Sequence, residues 1–278
     1  DHGPLRNDYT GNLADICPVG ALTAKDFRFK QRDWFLDSSQ STCAMCAAGC
    51  NTKVSSNPNT HKLYRVEPRR NPDVNKSWIC DRGRWDWHFV HDDKRLKVPE
   101  KWMDGRLSEE TWHVFFQDMQ KEISEAADSI LVALSTHLTN EELLDTVETF
   151  SKLGVKHFTW VVDEAAALEK KPADGILKHR DLTPNASGFE KVMAAVGITW
   201  FKAAAAKEKL KSGNFQRLLV LGMEGVEMPG LAELLLATKK ETKVAIQATS
   251  RAALFERCDW ILPGVSAFEK SGTVVNAQ

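Results

Sequence analysis

Cys43-Ala44-Met45-Cys46-Ala47-Ala48-Gly49-Cys50, answered by Cys80 within Ile79-Cys80-Asp81-Arg82-Gly83-Arg84, is the stretch that decides how this chain is read. It spells C-x2-C-x3-C-x29-C, with three thiols packed into eight residues and a fourth returning from a distance. Three close ligands line one bend and a remote fourth closes the cage, which is how a chain wraps a compact multi-metal cluster. Thiolates are soft ligands suited to iron–sulfur clusters or zinc. Structural zinc usually takes paired knuckles of C-x2-C type. The spacing therefore favours a 4Fe–4S cluster on Cys43, Cys46, Cys50 and Cys80, with zinc and unligated or disulfide-bonded thiols as the alternatives.

Composition sets the frame around that motif. At 278 residues the chain has room for one small metal-bound module and one full hydrophobic core. Hydrophobic residues at 42% and charged residues at 27% are ordinary for a globular protein. A formal net charge of −1 removes any global electrostatic case for nucleic acid or anionic lipid. No apolar run approaches a transmembrane helix, and no signal peptide is visible. Six cysteines would allow three disulfides in a secreted protein, but their clustering favours metal-bound thiols in a reducing compartment. Asp1 in place of methionine reads as a fragment or a processed product.

Further upstream, Gly11-Asn12-Leu13-Ala14-Asp15-Ile16-Cys17-Pro18-Val19-Gly20-Ala21-Leu22 places a cysteine before a proline. That is how the last ligand of a ferredoxin-type cluster run appears, the proline turning the chain away from the cluster. On the residues alone, a free buried cysteine is an equal reading of Cys17.

Taken together, the residues from Gly11 to Arg95 resemble the large iron–sulfur subunit of bacterial NADH–quinone oxidoreductase, the respiratory complex I family. The stretch Asp259-Trp260-Ile261-Leu262-Pro263 through Glu269-Lys270-Ser271-Gly272-Thr273-Val274-Val275-Asn276 is similar to a later, less specific motif of that family. The resemblance implies that Cys17 is the last ligand of one 4Fe–4S cluster, on the electron path from NADH toward quinone, with its three partners outside this chain. It implies a further 4Fe–4S cluster on Cys43, Cys46, Cys50 and Cys80, either conducting or structural. It also implies partners among the other hydrophilic-arm subunits, no nucleic acid, and a cytoplasmic place peripheral to the inner membrane. The expected fold is α/β: a small four-cysteine iron–sulfur domain, then a Rossmann-like parallel-sheet domain of molybdopterin-oxidoreductase type. The boundaries expected are 1–35 for the end of a ferredoxin-like region, 36–98 for the 4Fe–4S domain and 99–278 for an abridged α/β domain. No molybdenum cofactor is expected, because the remaining cysteine, Cys258, reads as a small core residue at the start of a strand.

Periodicity fills in the elements. Residues 1–30 read as largely irregular with one short helix, and 41–80 as short strands around the cluster. Ile130 to Leu134 suits a buried parallel strand. Thr139-Asn140-Glu141-Glu142 starts a helix whose inner face carries Leu143, Leu144, Val147 and Phe150, and Gly154 stops it. Strands follow at Lys156 to Val162, Arg217 to Gly222, Lys243 to Ala248 and Trp260 to Leu262, with helices over 229–239 and, exposed, from Ala203 to Lys211. Such alternation predicts a parallel sheet with right-handed crossovers.

Other residues carry weaker signals. Gly222-Met223-Glu224-Gly225 reads as a tight strand-to-helix turn rather than a phosphate site, and no P-loop is present. His88 and His91, behind Trp85 and Trp87, read as a solvated helix surface with aromatic anchors. Arg82 either tunes the cluster or pairs with a carboxylate. Arg65, Arg69 and Arg70 read as a solvated turn or a subunit contact. With no acid–base constellation, the chemistry expected is one-electron transfer. The alternatives are the electron-transfer piece of a related soluble hydrogenase or formate dehydrogenase, and a structural four-cysteine interaction module.

Overall fold

The computed structural model describes residues 5, 7–162, 175–224 and 230–277. A first helix, α1 (Asn12–Ile16), is the short helix expected near the N-terminus. Three antiparallel strands follow in the order β1 (Asp37–Thr42), β2 (Asn51–Asn57) and β3 (Lys62–Pro68). The sheet thus begins before residue 41, and beyond Pro68 the chain turns through an Asn71–Lys76 bridge into α2 (Asp81–Trp85). Its hydrophobic core is small, with Leu63, Val66, Ile79 and Trp87 buried.

The larger sheet has seven strands. β4 (Glu100–Met103) and β5 (Arg106–Glu109) form an antiparallel hairpin at one edge. Asp104 and Gly105 sit at φ 51° and 78°, the left-handed pair that a two-residue hairpin turn needs. The rest is α3 (Trp112–Ala126), β6 (Ile130–Leu134), α4 (Asn140–Lys152), β7 (His157–Trp160), α5 (Ala186–Val196), α6 (Ala203–Ser212), β8 (Arg217–Met223), α7 (Leu231–Leu236), β9 (Lys243–Ala248) and β10 (Trp260–Pro263). The sheet order is β5-β4-β10-β9-β8-β6-β7. The strands from β10 to β7 are mutually parallel, and β4 joins β10 antiparallel. The parallel-sheet expectation therefore holds for five strands. The hairpin, α3 and α5 were not anticipated.

β6 shows why a continuous apolar run makes a central strand. All five of its residues are buried, Leu131 and Ala133 in one apolar layer and Ile130, Val132 and Leu134 in the other. α4 begins at Thr139, whose side chain accepts from the Glu142 N–H while the Glu142 carboxylate accepts from the Thr139 N–H. Such a capping box is worth about 1 kcal/mol. Leu143 and Val147 are fully buried and Phe150 packs beside them, but Leu144 is exposed. One residue past Leu143, it is rotated about 100° off the apolar stripe. The Lys156–Val162 strand is shorter than expected, spanning His157–Trp160. The α6 helix is not simply exposed, because Ala206 and Leu210 are buried against the sheet. The expected 229–239 helix is observed as Leu231–Leu236, and residues 225–229 lie outside the described residues.

At the end of β8 the chain bends at Gly222, φ 78°, where a Cβ would stand 2.5 Å from Leu138. Glu224 follows, buried, and accepts the Ala267 N–H at 2.9 Å, tying the strand end to the C-terminal segment. Burial raises its carboxyl to about 7, against the opposing pull of that hydrogen bond and of Lys270 and Arg95, with Glu269 adding to the rise. The folded state thus holds this proton more tightly than the unfolded chain. Stability from this group is full below about pH 4.5 and is lost as pH rises toward 7. Glu224→Gln is expected to flatten that slope, worth about 3 kcal/mol across the window. Urea midpoints at pH 5 and 7.5 check it, and an unchanged difference between them refutes it.

Candidate metal centre

The C-x2-C-x3-C element is the connection between β1 and β2, because Thr42 ends one strand and Asn51 begins the next. The Cys43 N–H donates to the Cys50 carbonyl at 2.8 Å and pinches the loop shut. Gly49, at φ 62°, makes the turn back, and a Cβ there would meet Asn276 at 3.0 Å. Cys46 and Cys50 are buried and Cys43 is half-buried. Cys80 caps α2, and its Sγ accepts the Gly83 N–H at 3.4 Å. A Cβ on Gly83 would stand 3.0 Å from Cys43 Sγ, so α2 lies directly against the first thiol. Tertiary structure thus brings together the four thiols that the sequence separates.

Electrostatics express the same convergence. Burial pushes the Cys43 thiol well up, and the neighbouring Cys46, Cys50 and Cys80 add to the rise. Burial, with Cys46 and Cys80, pushes Cys50 to about 12. Burial also raises Cys80, opposed by the Gly83 N–H, Lys178 and Arg82. Such thiols hold their protons unless a metal displaces them. The donor set is all soft sulfur, partly lined by alanine, leucine and backbone, and it fits a thiolate-held cluster.

The cover over this loop comes from far along the chain. Leu177 and Leu182 pack on the cysteines, and the Ala47 N–H donates to the Asp181 carbonyl at 2.9 Å. The Ala277 N–H reaches the Ala47 carbonyl at 2.9 Å, and Asn276 Nδ2 the Ala48 carbonyl at 3.4 Å. Nothing local in the sequence marked Leu177, Asp181 or Leu182 for this role. Beside the loop lies a cavity of about 640 Å³ lined by Cys43, Arg69, Thr136, His137 and Lys270 among others. Burial, helped by Lys270 and Arg82, lowers His137 to about 4, so its imidazole is neutral at pH 7.

Cys17 stands apart from the four, as the C-cap of α1. Its Sγ accepts the Leu22 N–H at 3.4 Å, and that bond leads the lowering of its pKa, assisted by the amides of Val19, Ala21 and Gly20. The reading of Cys17 as a buried free thiol is not met, since it is only half-buried. Cys258 is a core residue, its thiol raised to about 12 mainly by burial. Arg82 pairs with Asp86 at 3.6 Å. Arg65 is on a strand rather than a turn: it bonds Asp33 and Glu67 and stacks over Phe27 at 4.2 Å. Arg69 donates to Asn51 at 2.8 Å. His88 and His91 belong to a 3-10 turn, not a helix face. His88 meets Asp26 at 3.1 Å, and His91 Nε2 accepts the Leu63 N–H.

Contact between Gly83 and Cys43 makes a test of the site. Gly83→Ala inserts a methyl where neither Cys43 nor Ile79, 3.1 Å away, can yield without moving. Iron retained after anaerobic reconstitution is expected to fall at least twofold, on the order of a displaced cluster neighbour. Retention equal to the unsubstituted chain refutes it.

Residues 36–88 match the family model described as "NADH-ubiquinone oxidoreductase NDSU1/NuoG-like, 4Fe-4S domain". The segment holding all four converging cysteines is therefore similar to the iron–sulfur domain of that description. Over about half its length the chain is similar to subunits of NADH–quinone and NADH–ubiquinone oxidoreductases. NADH-quinone oxidoreductase subunit 3 of Thermus thermophilus is 36% identical over 55% of this chain and 19% of its own. The 75 kDa subunit of NADH-ubiquinone oxidoreductase from Reclinomonas americana is 33% identical over 54% of this chain and 22% of its own. The mitochondrial NADH dehydrogenase [ubiquinone] iron-sulfur protein 1 of Solanum tuberosum is 30% identical over 54% of this chain and 20% of its own. The chain thus spans about a fifth of the length of these relatives. Among the described residues no helix is long and apolar enough to cross a membrane.

Proposed function

We propose that this chain is an electron-transfer segment of an NADH–quinone oxidoreductase, holding one 4Fe–4S cluster on Cys43, Cys46, Cys50 and Cys80. The observation that carries the reading is the convergence of four thiols, one of them on the α2 cap, inside the matched 36–88 segment. When bound, the cluster supplies a one-electron redox centre. The chain's own residues bury the sulfurs, offer the Gly83 N–H to Cys80, and hold Arg82 and Lys178 nearby as positive charge. Cations and N–H donors at the sulfurs favour the reduced state.

Cys17 belongs, on the same reading, to a second 4Fe–4S cluster whose other ligands come from outside this chain. The amides gathered at its sulfur suit a thiolate. We divide the chain into the end of a ferredoxin-like region (1–35), the 4Fe–4S domain (36–98) and an abridged molybdopterin-oxidoreductase-like α/β domain (99–278). That last domain carries no molybdenum in this proposal; Cys258, the cysteine outside the motifs, is inert and buried in its core. The partners are other hydrophilic-arm subunits, and the place is the cytoplasmic side of the inner membrane, reached through those partners.

Iron and acid-labile sulfide on anaerobically purified protein, with EPR before and after dithionite, test the reading. About four of each per chain and a signal appearing on reduction are expected. One zinc without iron overturns it.

A further inference from the structure

We propose that Asp81 and Arg84 are positioning residues that fix Cys17 at a set distance from the four-thiol site. The inference rests on the electron-transfer reading above and adds to it the residues that hold the two cysteine sites in register. Both are carried by α2, which starts directly after Cys80. The Asp81 carboxylate accepts the backbone N–H of Thr10 at 2.9 Å and of Gly11 at 2.8 Å, together with the Thr10 hydroxyl. Arg84, only 4% exposed, bonds both oxygens of Asp15 and, at 3.1 Å, Asn12 Oδ1. Asn12 in turn donates to the Ile79 carbonyl at 2.8 Å, next to Cys80. Every one of these bonds joins the residues just before Cys17 to residues on either side of Cys80.

Apolar packing does not share this task. Leu13, Ile16, Val19 and Leu22, the large apolar residues of the Cys17 segment, are all exposed. Gly11 shows how close the approach is, since a Cβ there would lie 2.4 Å from Arg84 Cδ. A bidentate guanidinium–carboxylate pair has one geometry, and losing Asp15, itself part-exposed, leaves the buried Arg84 guanidinium with its charge poorly solvated. That is a rigid strut, whereas an exposed apolar contact would slide. These polar struts therefore hold the two cysteine sites in one register.

The test attaches a reduction-resistant trityl radical to Cys17 of the reconstituted full chain and measures its distance to the reduced cluster by pulsed dipolar EPR. Amide hydrogen exchange over residues 8–16 is read in parallel and needs no cluster. The unsubstituted chain is expected to give one narrow distance distribution. In Asp81→Asn and Asp15→Asn the distribution broadens at least twofold, with iron content and the reduced-cluster spectrum unchanged. Exchange of the 8–16 amides speeds up roughly tenfold or more. Arg84→Lys, which keeps the charge but loses the fork, falls between. Asp15→Asn lies on the far side of the pair from Cys80, so it judges the idea even if Asp81→Asn costs the cluster. Unchanged exchange, or faster exchange with an unchanged distance distribution, overturns the proposal. Absence of any reducible cluster in the unsubstituted chain overturns the electron-transfer reading instead, while exchange still decides whether the struts hold the segment.

Discussion

Cys46→Ser is expected to cut iron from about four per chain to below one and to abolish the EPR signal of the reduced protein. Cys46 is buried at the middle of the pinched β1–β2 loop, among Ala48, Cys50 and Leu182. An alkoxide there is a harder ligand than a thiolate and sits on a shorter bond. The structural consequence reaches further than the loop. The small sheet has four buried apolar residues as its hydrophobic core, too few to stabilise it unaided. Metal binding then supplies folding energy. Amide protection in β1–β3 should fall more than tenfold in Cys46→Ser, while β6, β8 and β9, with their own core, keep theirs. Full iron retention with unchanged protection would show that Cys46 neither binds the cluster nor organises the sheet.

Phe158→Ala in β7 is expected to cost about 3–5 kcal/mol of stability. Phe158 is fully buried in the apolar layer that also holds Trp160, Phe189 and Met193. Trp160, Phe189 and Trp200 already pack on one another in tilted and edge-to-face contacts, 5.0–5.6 Å between ring centroids, so these large rings have little freedom to collapse into the vacated space. A lowered urea midpoint with an unchanged slope is the expected reading. A loss under 1 kcal/mol would mean that the layer repacks, against the close packing described here.

These two residues mark how differently the two halves of the molecule were written into the sequence. Cys43, Cys46, Cys50 and Cys80 were legible because soft-ligand chemistry needs particular residues at particular spacings. β6 and β9 were read to the residue, β6 because a buried parallel strand is apolar on both faces and β9 through its apolar run Val244 to Ile246. α4 was legible through Thr139 and Glu142, whose capping is a local bond. The β4–β5 hairpin was missed although Asp104-Gly105 signals it, because its strands are polar and half-exposed. Leu144 was misplaced by one residue of helical phase.

By itself the sequence determined what depends on neighbours along the chain: the thiol spacing, the helix cap, the apolar runs, and the alternation that makes a parallel sheet. Only the tertiary structure decided what depends on neighbours across space. It laid Leu177, Leu182 and Asn276 over the cysteine loop and set Gly83 against Cys43. It also bound the Cys17 turn to α2 through Asp81 and Arg84. The reason is physical. Bonds between residues about 70 positions apart leave no period in a single sequence, and their partners are chosen by how the elements pack.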